Sequence, residues 1–182
     1  MNPKEKNVIG TYELKPAALF SYDPLCSDVA AHIASIIKNH LACLIVEHIG
    51  STAIPNYDGK GIVDLMVLYP NGHLEDTKET LYYLGFQHQP HKDPFPEDRP
   101  MLVGSIAYDE RVFQIHVHVI QQGCPEALST IKFRDRLRKD DNLRKQYVRC
   151  KMQILKGGVT DSLEYCRAKK TFIEHVLGED LK

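Results

Sequence analysis

The sequence predicts an α/β (α+β) protein: a mixed sheet with flanking helices and a C-terminal helical extension. Three patterns carry that expectation. The runs "LACLIVEHI" and "GIVDLMVLY" have the length and branched apolar composition of buried strands. Segments with apolar residues every three or four positions alternate with them, as crossover helices do. From Ser129 onward the periodicity is helical throughout, so the strands give out before the C-terminal part of the chain.

Each element has its own local reason. In "SYDPLCSDVAAHIASIIKNH", Asp23 is placed to cap a helix whose first position is Pro24, where a missing N–H costs nothing. Leu25, Val29, Ile33, Ile36, Ile37 and His40 then repeat at helical spacing. The strand from Leu41 to Ile49 runs into a Gly50-Ser51-Thr52 turn, and "PNYDGK" is loop material before the second strand. Leu74, Lys78, Leu81 and Leu84 mark a helix that stops at Gly85, a residue suited to a left-handed C-cap. A loop with four prolines runs from His88 to Pro100, long enough to be functional. "MLVGSIAY" and "RVFQIHVHVIQ" flank Asp109-Glu110 and read as a hairpin. In the tail, Phe133 and Leu137 share a face. After the "KDDN" break so do Leu143, Tyr147, Cys150 and Ile154, up to Gly157-Gly158. Asp161 with Glu164 has the spacing of a capping box for a last helix through Leu177.

At 182 residues the chain fits one domain, expected over 1–182, with the sheet in 1–128 and the helical extension in 129–182. No apolar run approaches the roughly 20 residues that span a bilayer. The first ten residues carry charge without an apolar run, so neither a membrane partner nor a signal peptide is expected. The five cysteines are odd in number, scattered and without a CxxC pair, which points to free thiols in a cytoplasmic protein and against a cysteine-built zinc site. Net charge is −1, but the segment from Ile131 to Lys156 carries +7 and the remainder −8. A basic segment on an acidic body suits a local anion site better than a nucleic-acid surface.

Three constellations bear on chemistry. The turn at Gly50, Ser51 and Thr52 lets backbone N–H groups and a hydroxyl point at one spot, as in a phosphate cradle. Asp64 sits in the middle of an apolar strand, sharing a face with Ile62, Met66 and Leu68. A carboxylate there costs several kcal/mol unless it is paired, hydrogen-bonded or bound to a cation. His116 and His118 alternate with Ile115, Val117 and Val119, so both imidazoles face one way. They could chelate a metal, or one could act as base while the other orients. Glu47 and His48 adjoin the turn on opposite strand faces, so at most one joins the same pocket from within the strand. Lys60, Arg134, Arg138 and Lys169 are the cationic candidates for holding phosphate, with Arg134 and Arg138 four apart on one helix face.

The blocks "VEHIGSTAIP", "KGIVDLMV", "IHVHV", "FRDRLR" and "AKKTFIEHVLG" resemble, as an ordered set, those of GrpB family proteins, over about Tyr22 to Gly178. That family is similar to the nucleotidyltransferase-fold superfamily, which includes DNA polymerase beta and the antibiotic nucleotidyltransferases. The resemblance implies a Gly-Ser turn opening a helix against which nucleotide phosphates rest. It also implies two strand carboxylates two residues apart and a third acidic residue on a later strand, together holding two magnesium ions. Gly50 and Ser51 match the turn and Asp64 the first carboxylate. The second falls on Met66, which cannot bind magnesium, and the third at or near His116 or His118. Pro55-Asn56 and Lys60-Gly61 also depart from the Pro-Gly and Lys-Pro of relatives, and the tryptophan often found near the first helix is absent.

Nucleotidyl transfer from an NTP to an unknown acceptor is the first reading, with Asp64, His116 and His118 catalytic and holding Mg, Mn or Zn. A nucleotide or phosphometabolite-binding module without transfer chemistry is the second, because two-metal chemistry needs an oxygen clamp that Met66 interrupts. A two-His-one-carboxylate transition-metal site with hydrolase-like chemistry is the third.

Overall fold

The computed structural model describes residues 6–14, 19–90, 95–159 and 162–178. Among the described residues five strands form one sheet in the order β1-β2-β5-β4-β3. They are β1 (Ile45–Ile49), β2 (Val63–Tyr69), β3 (Gln87–His88), β4 (Met101–Tyr108) and β5 (Arg111–Gln121). Only the central β2–β5 pair is parallel; the other three pairs are antiparallel. Helix α1 (Leu25–His40) precedes β1 and α2 (Leu74–Leu84) comes after β2, while α3 (Pro125–Lys139), α4 (Asp141–Lys156) and α5 (Ser162–Gly178) form the tail. This is the mixed α/β architecture expected from the apolar patterning.

Partners directly across a ladder share a face, which divides the strand residues into two sets. Val63, Leu65 and Val67 of β2, with Ile115, Val117 and Val119 of β5, pack on Val29, Ile33 and Ile37 of α1 and on Leu81 and Leu84 of α2. On the opposite face Ile49, Met66, Leu68 and Ile120 are covered by Ala127, Cys124 and Ile131 at the start of α3. A third cluster joins Ile54 and Tyr57, just after the Gly-Ser turn, to Leu137, Leu143, Tyr147 and Val176 of the tail helices. The tail is thus fastened over one end of the second face. The rung that carries Asp64 stays only partly covered.

The local signals mostly hold. Asp23 Oδ1 accepts from Leu25 N–H at 3.1 Å, while Pro24, expected as the first helical residue, stands at the N-cap of α1 with φ −62° and ψ −28°. Gly85 closes α2 at φ 106°, and Phe86 N–H donates to Leu81 O at 3.1 Å. Asp109 and Glu110 both take positive φ, 50° and 59°, as a two-residue hairpin of the primed type requires. Asp140 accepts from Asn142 and Leu143 N–H, so the "KDDN" break ends α3 and caps α4.

Two boundaries differ. Helix α3 starts at Pro125 and not at Ser129, because the Cys124 thiol accepts from Ala127 N–H at 3.4 Å and Pro125 opens the first turn. Strand β1 starts at Ile45 and not at Leu41, because Leu41 N–H still donates to Ile37 O and Leu44 N–H turns back to Leu41 O. Asp161 of the expected capping box, and residues 91–94 of the proline-rich loop, lie outside the described residues. Cys26, Cys43, Cys124 and Cys150 are free thiols. No helix among the described residues is long and apolar enough to cross a membrane.

Candidate functional site

Strand β1 delivers the chain to Gly50 directly beside Asp64, since Ile49 and Asp64 are cross-strand partners. Gly50 has φ 72° and ψ −168°, a region essentially restricted to glycine. A Cβ there would also meet Asp64 Cγ at 2.9 Å and overlap its Oδ2. The turn is therefore shaped around this carboxylate. After Gly50 the chain makes a single 3₁₀ turn, Ser51–Ala53, and not the helix that the resemblance implies. Ile54 goes extended (φ −112°, ψ 113°) ahead of Pro55, because a residue before proline is disfavoured in the helical region. No helix dipole therefore backs the turn. The Ser51 hydroxyl is covered by Gly59, where a Cβ would sit 2.6 Å from Ser51 Cβ. Thr52 Oγ1 donates to Ile62 O at 3.0 Å and lies 3.0 Å from His48 Nε2. Its one proton being committed, Thr52 accepts from His48 Nε2–H. Burial, with Arg138 and Arg134 nearby, lowers the His48 pKa to about 4 against the opposing pull of Asp64. His48 is a neutral fastener of the turn.

The β2–β5 register sets Asp64 opposite His116 and Met66 opposite His118. His116 Nδ1 lies 3.3 Å from Asp64 Oδ1, with the side chains 20% and 23% exposed. Its Nε2 is 3.0 Å from the Tyr12 hydroxyl, whose ring tilts over the imidazole at 5.4 Å. Burial alone would raise the Asp64 pKa. The hydrogen bond from His116 and the charges of His116, His118 and Lys169 more than offset this and hold the carboxyl below its usual range. Asp64 is a carboxylate oriented by an imidazole.

His118 shares the face but not the contact. It sits one rung along, roughly 6.6 Å from His116 by strand rise, edge-on to Phe95 at 6.0 Å. With Phe95, Pro96, Arg99, Ile120 and Glu126 it lines a separate pocket, where Arg99 pairs with Glu126. Burial lowers its pKa too. The trio expected to hold a metal is not assembled: among the described residues no three His, Cys, Asp or Glu side chains lie together as a metal site. The rung beside Asp64 on its own strand carries Met66, fully buried at 0% exposure. Magnesium and manganese want oxygen ligands and zinc would need a third donor, but among the described residues only Asp64 and His116 are in contact on this face, where the second carboxylate, Glu47, is held by Arg134. The residues present do not fit a protein-held divalent ion.

The cationic candidates divide into two groups. Arg134, 8% exposed, donates to Glu47 at 2.7 Å, to His48 O at 2.9 Å and to Asp135 at 2.8 Å. Arg138 Nε donates to Ala53 O at 2.8 Å. Both guanidinium groups latch α3 to β1 and the turn, and Glu47, in register with Met66, serves as the receiving carboxylate. Lys60 and Lys169 stand otherwise: their ammonium groups lie 4.7 and 4.5 Å from the ring centre of Tyr165, and Lys169 reaches Asp64 electrostatically. Tyr12 and Tyr165 escape a reading of the sequence. Tyr12 carries no periodic or motif signal, Tyr165 reads only as one helical position in step with Ala168, Phe172 and Val176, and the Tyr12–His116 contact spans 104 residues of chain.

Residues 16–179 match the family model described as GrpB protein. A UPF0157 protein of Streptomyces coelicolor is 30% identical, over 91% of this chain and 85% of its own length. One of Halalkalibacterium halodurans is 26% identical with the same coverage of both chains, 91% and 85%. The crystal structure of the conserved protein GrpB from Enterococcus faecalis superposes with a TM-score of 0.69 at 25% identity, covering 89% of this chain and 96% of that one.

Proposed function

The chain belongs to the GrpB family, and from that premise together with the site geometry we propose that it binds a nucleoside triphosphate and transfers its nucleotidyl group to a hydroxyl. The observation that carries the reading is the convergence on Asp64 of an imidazole at 3.3 Å and a glycine turn. Lys60 and Lys169, grouped around Tyr165, supply positive charge for phosphate oxygens next to the turn. Asp64 fixes the His116 ring with Nδ1–H toward the carboxylate, which leaves Nε2 to accept a proton from an attacking hydroxyl. This acid–base pair stands where the superfamily resemblance implies a carboxylate clamp.

The thermal midpoint of the protein, measured with ATP, GTP, CTP and UTP each with and without magnesium, manganese or zinc, tests the binding step. A nucleotide at about 100 times its Kd adds about 2.7 kcal/mol of stability, a clear rise in Tm. Lys169→Gln is expected to abolish that rise. Asp64→Asn is expected to keep it while eliminating pyrophosphate release, because binding and proton transfer use different groups. A flat response to all four nucleotides contradicts the proposal. The buried Met66 favours a second reading, a nucleotide receptor without transfer; it predicts the same Tm rise with no pyrophosphate from the wild-type protein.

A further inference from the structure

The group that already occupies the proton-accepting end of His116 is Tyr12. Tyr12 Oη, His116 Nε2 and Nδ1, and Asp64 Oδ1 form an unbroken chain of contacts at 3.0 and 3.3 Å. A hydroxyl, an imidazole that can take its proton, and a carboxylate that orients the imidazole are the three parts of an activated oxygen nucleophile. The segment that brings the hydroxyl is pinned to the sheet on both sides of Tyr12. Gly10 and Ser105 exchange backbone bonds at 2.8 and 3.0 Å, Ser105 Oγ donates to Thr11 O at 2.8 Å, and Glu13 N–H donates to Gln114 Oε1 at 2.9 Å. Ser105 and Gln114 are both 7% exposed, so these anchors are built into the sheet. Main-chain bonds to a strand with one side chain handed into a site is a known way of presenting a peptide.

We propose that Tyr12 is itself an acceptor: the protein nucleotidylates its own tyrosyl hydroxyl. The inference rests on the nucleotidyl-transfer reading above and adds to it a modification site and an acceptor class, a tyrosyl hydroxyl on a segment pinned to the sheet. Tyr12 Oη attacks the α-phosphorus of a bound nucleoside triphosphate. A bond forms between Oη and that phosphorus, the bond from phosphorus to the bridging oxygen breaks, and pyrophosphate leaves with the bonding pair. The phenolic proton passes to His116 Nε2, and the resulting imidazolium is stabilised by Asp64 through Nδ1–H. No oxidant or reductant is involved. The phenol of Tyr12 is kept protonated by burial and by the Asp64 charge, which raise its pKa, so it depends on the base for its nucleophilicity.

The test incubates the full chain with each of the four α-labelled ribonucleoside triphosphates, with magnesium or manganese in solution. Intact mass and peptide mapping read the product, and the nucleotide-induced Tm shift is recorded alongside. The expected result is one nucleoside monophosphate added at Tyr12. In Tyr12→Phe the label is lost while the Tm shift is retained, and in His116→Gln labelling slows by roughly 10²- to 10⁴-fold. A Tm shift without label, label at another residue, or label that persists in Tyr12→Phe overturns the self-modification and leaves nucleotide binding standing. Absence of both shift and label overturns it together with the function from which it is built.

Discussion

Asp64 is held between the His116 imidazole and Gly50. No side chain fits at position 50: the backbone angles belong to glycine, and the space a Cβ would need is filled by the carboxylate. Gly72 provides a contrast. It too has positive φ, 85°, but a Cβ there would meet nothing within 4 Å. Gly72→Ala is expected to cost about 1–2 kcal/mol for conformation alone. Gly50→Ala should cost clearly more, because Asp64 must also move, and it should take nucleotide-induced stabilisation with it. Urea denaturation of the two variants measures the difference. Equal losses would mean that Asp64 adapts freely and that the turn is not built around it. Much of this residue's environment is legible in the sequence. A lone carboxylate in "GIVDLMV" after a Gly-Ser turn announces a satisfied charge, and alternation puts His116 and His118 on one face. Which imidazole meets Asp64 is not legible, because that is set by the β2–β5 register, a pairing across more than fifty residues that neither strand encodes alone.

At the scale of elements, strands and helices emerge from periodicity, and the differences lie where an uncommon group ends or begins one. The thiol cap of Cys124 moves α3 upstream, and Pro55 cuts the expected helix after the Gly-Ser turn to a single 3₁₀ turn. The spacing of Arg134 and Arg138 on α3 is visible in sequence and suggests phosphate binding. The Glu47 carboxylate that Arg134 meets instead, 87 residues away, is not visible there. Helix α4 contributes a different device. Lys151 is 4% exposed, lies 3.9 Å over the Tyr57 ring and donates to Asp58 O at 2.7 Å, which ties α4 to the loop carrying Gly59 and Lys60. Burial first, then the charge of Lys169, push its pKa from 10.5 down to about 7. Between pH 7 and 10.5 the unfolded chain therefore holds a proton at Lys151 that the folded chain has released, so the folded state gains stability as pH rises through that window. Lys151→Met should be relatively more stable than wild type at and below pH 7 and should flatten the slope between pH 7 and 10.5. Denaturation series across this range check it. An unchanged slope would place the Lys151 ammonium in contact with water.

For the whole molecule, the two sheet faces divide the labour. One is sealed by α1 and α2 and carries the core. The other is closed at one end by α3, leaving Asp64, His116 and Tyr12 together beside the turn. Helix α5, from the far end of the sequence, holds Lys169 over the Tyr165 ring at 4.5 Å, within electrostatic reach of Asp64. The site is thus assembled from the N-terminal segment, the turn, two strands and the last helix. Such long-range assembly explains why Asp64 and His116 can be named from sequence while Tyr12 and Tyr165 cannot. This convergence is expected to receive the phosphates of a nucleotide with the α-phosphorus toward His116. A crystal structure with a nucleoside triphosphate analogue that cannot release pyrophosphate tests it most directly. Phosphate oxygens are expected between the Gly50–Ser51 turn and the ammonium groups of Lys60 and Lys169, with Tyr12 Oη or an acceptor hydroxyl on His116 Nε2 facing the α-phosphorus. Nucleotide bound elsewhere, for instance in the Phe95–His118 pocket with the Asp64 rung unoccupied, would contradict it.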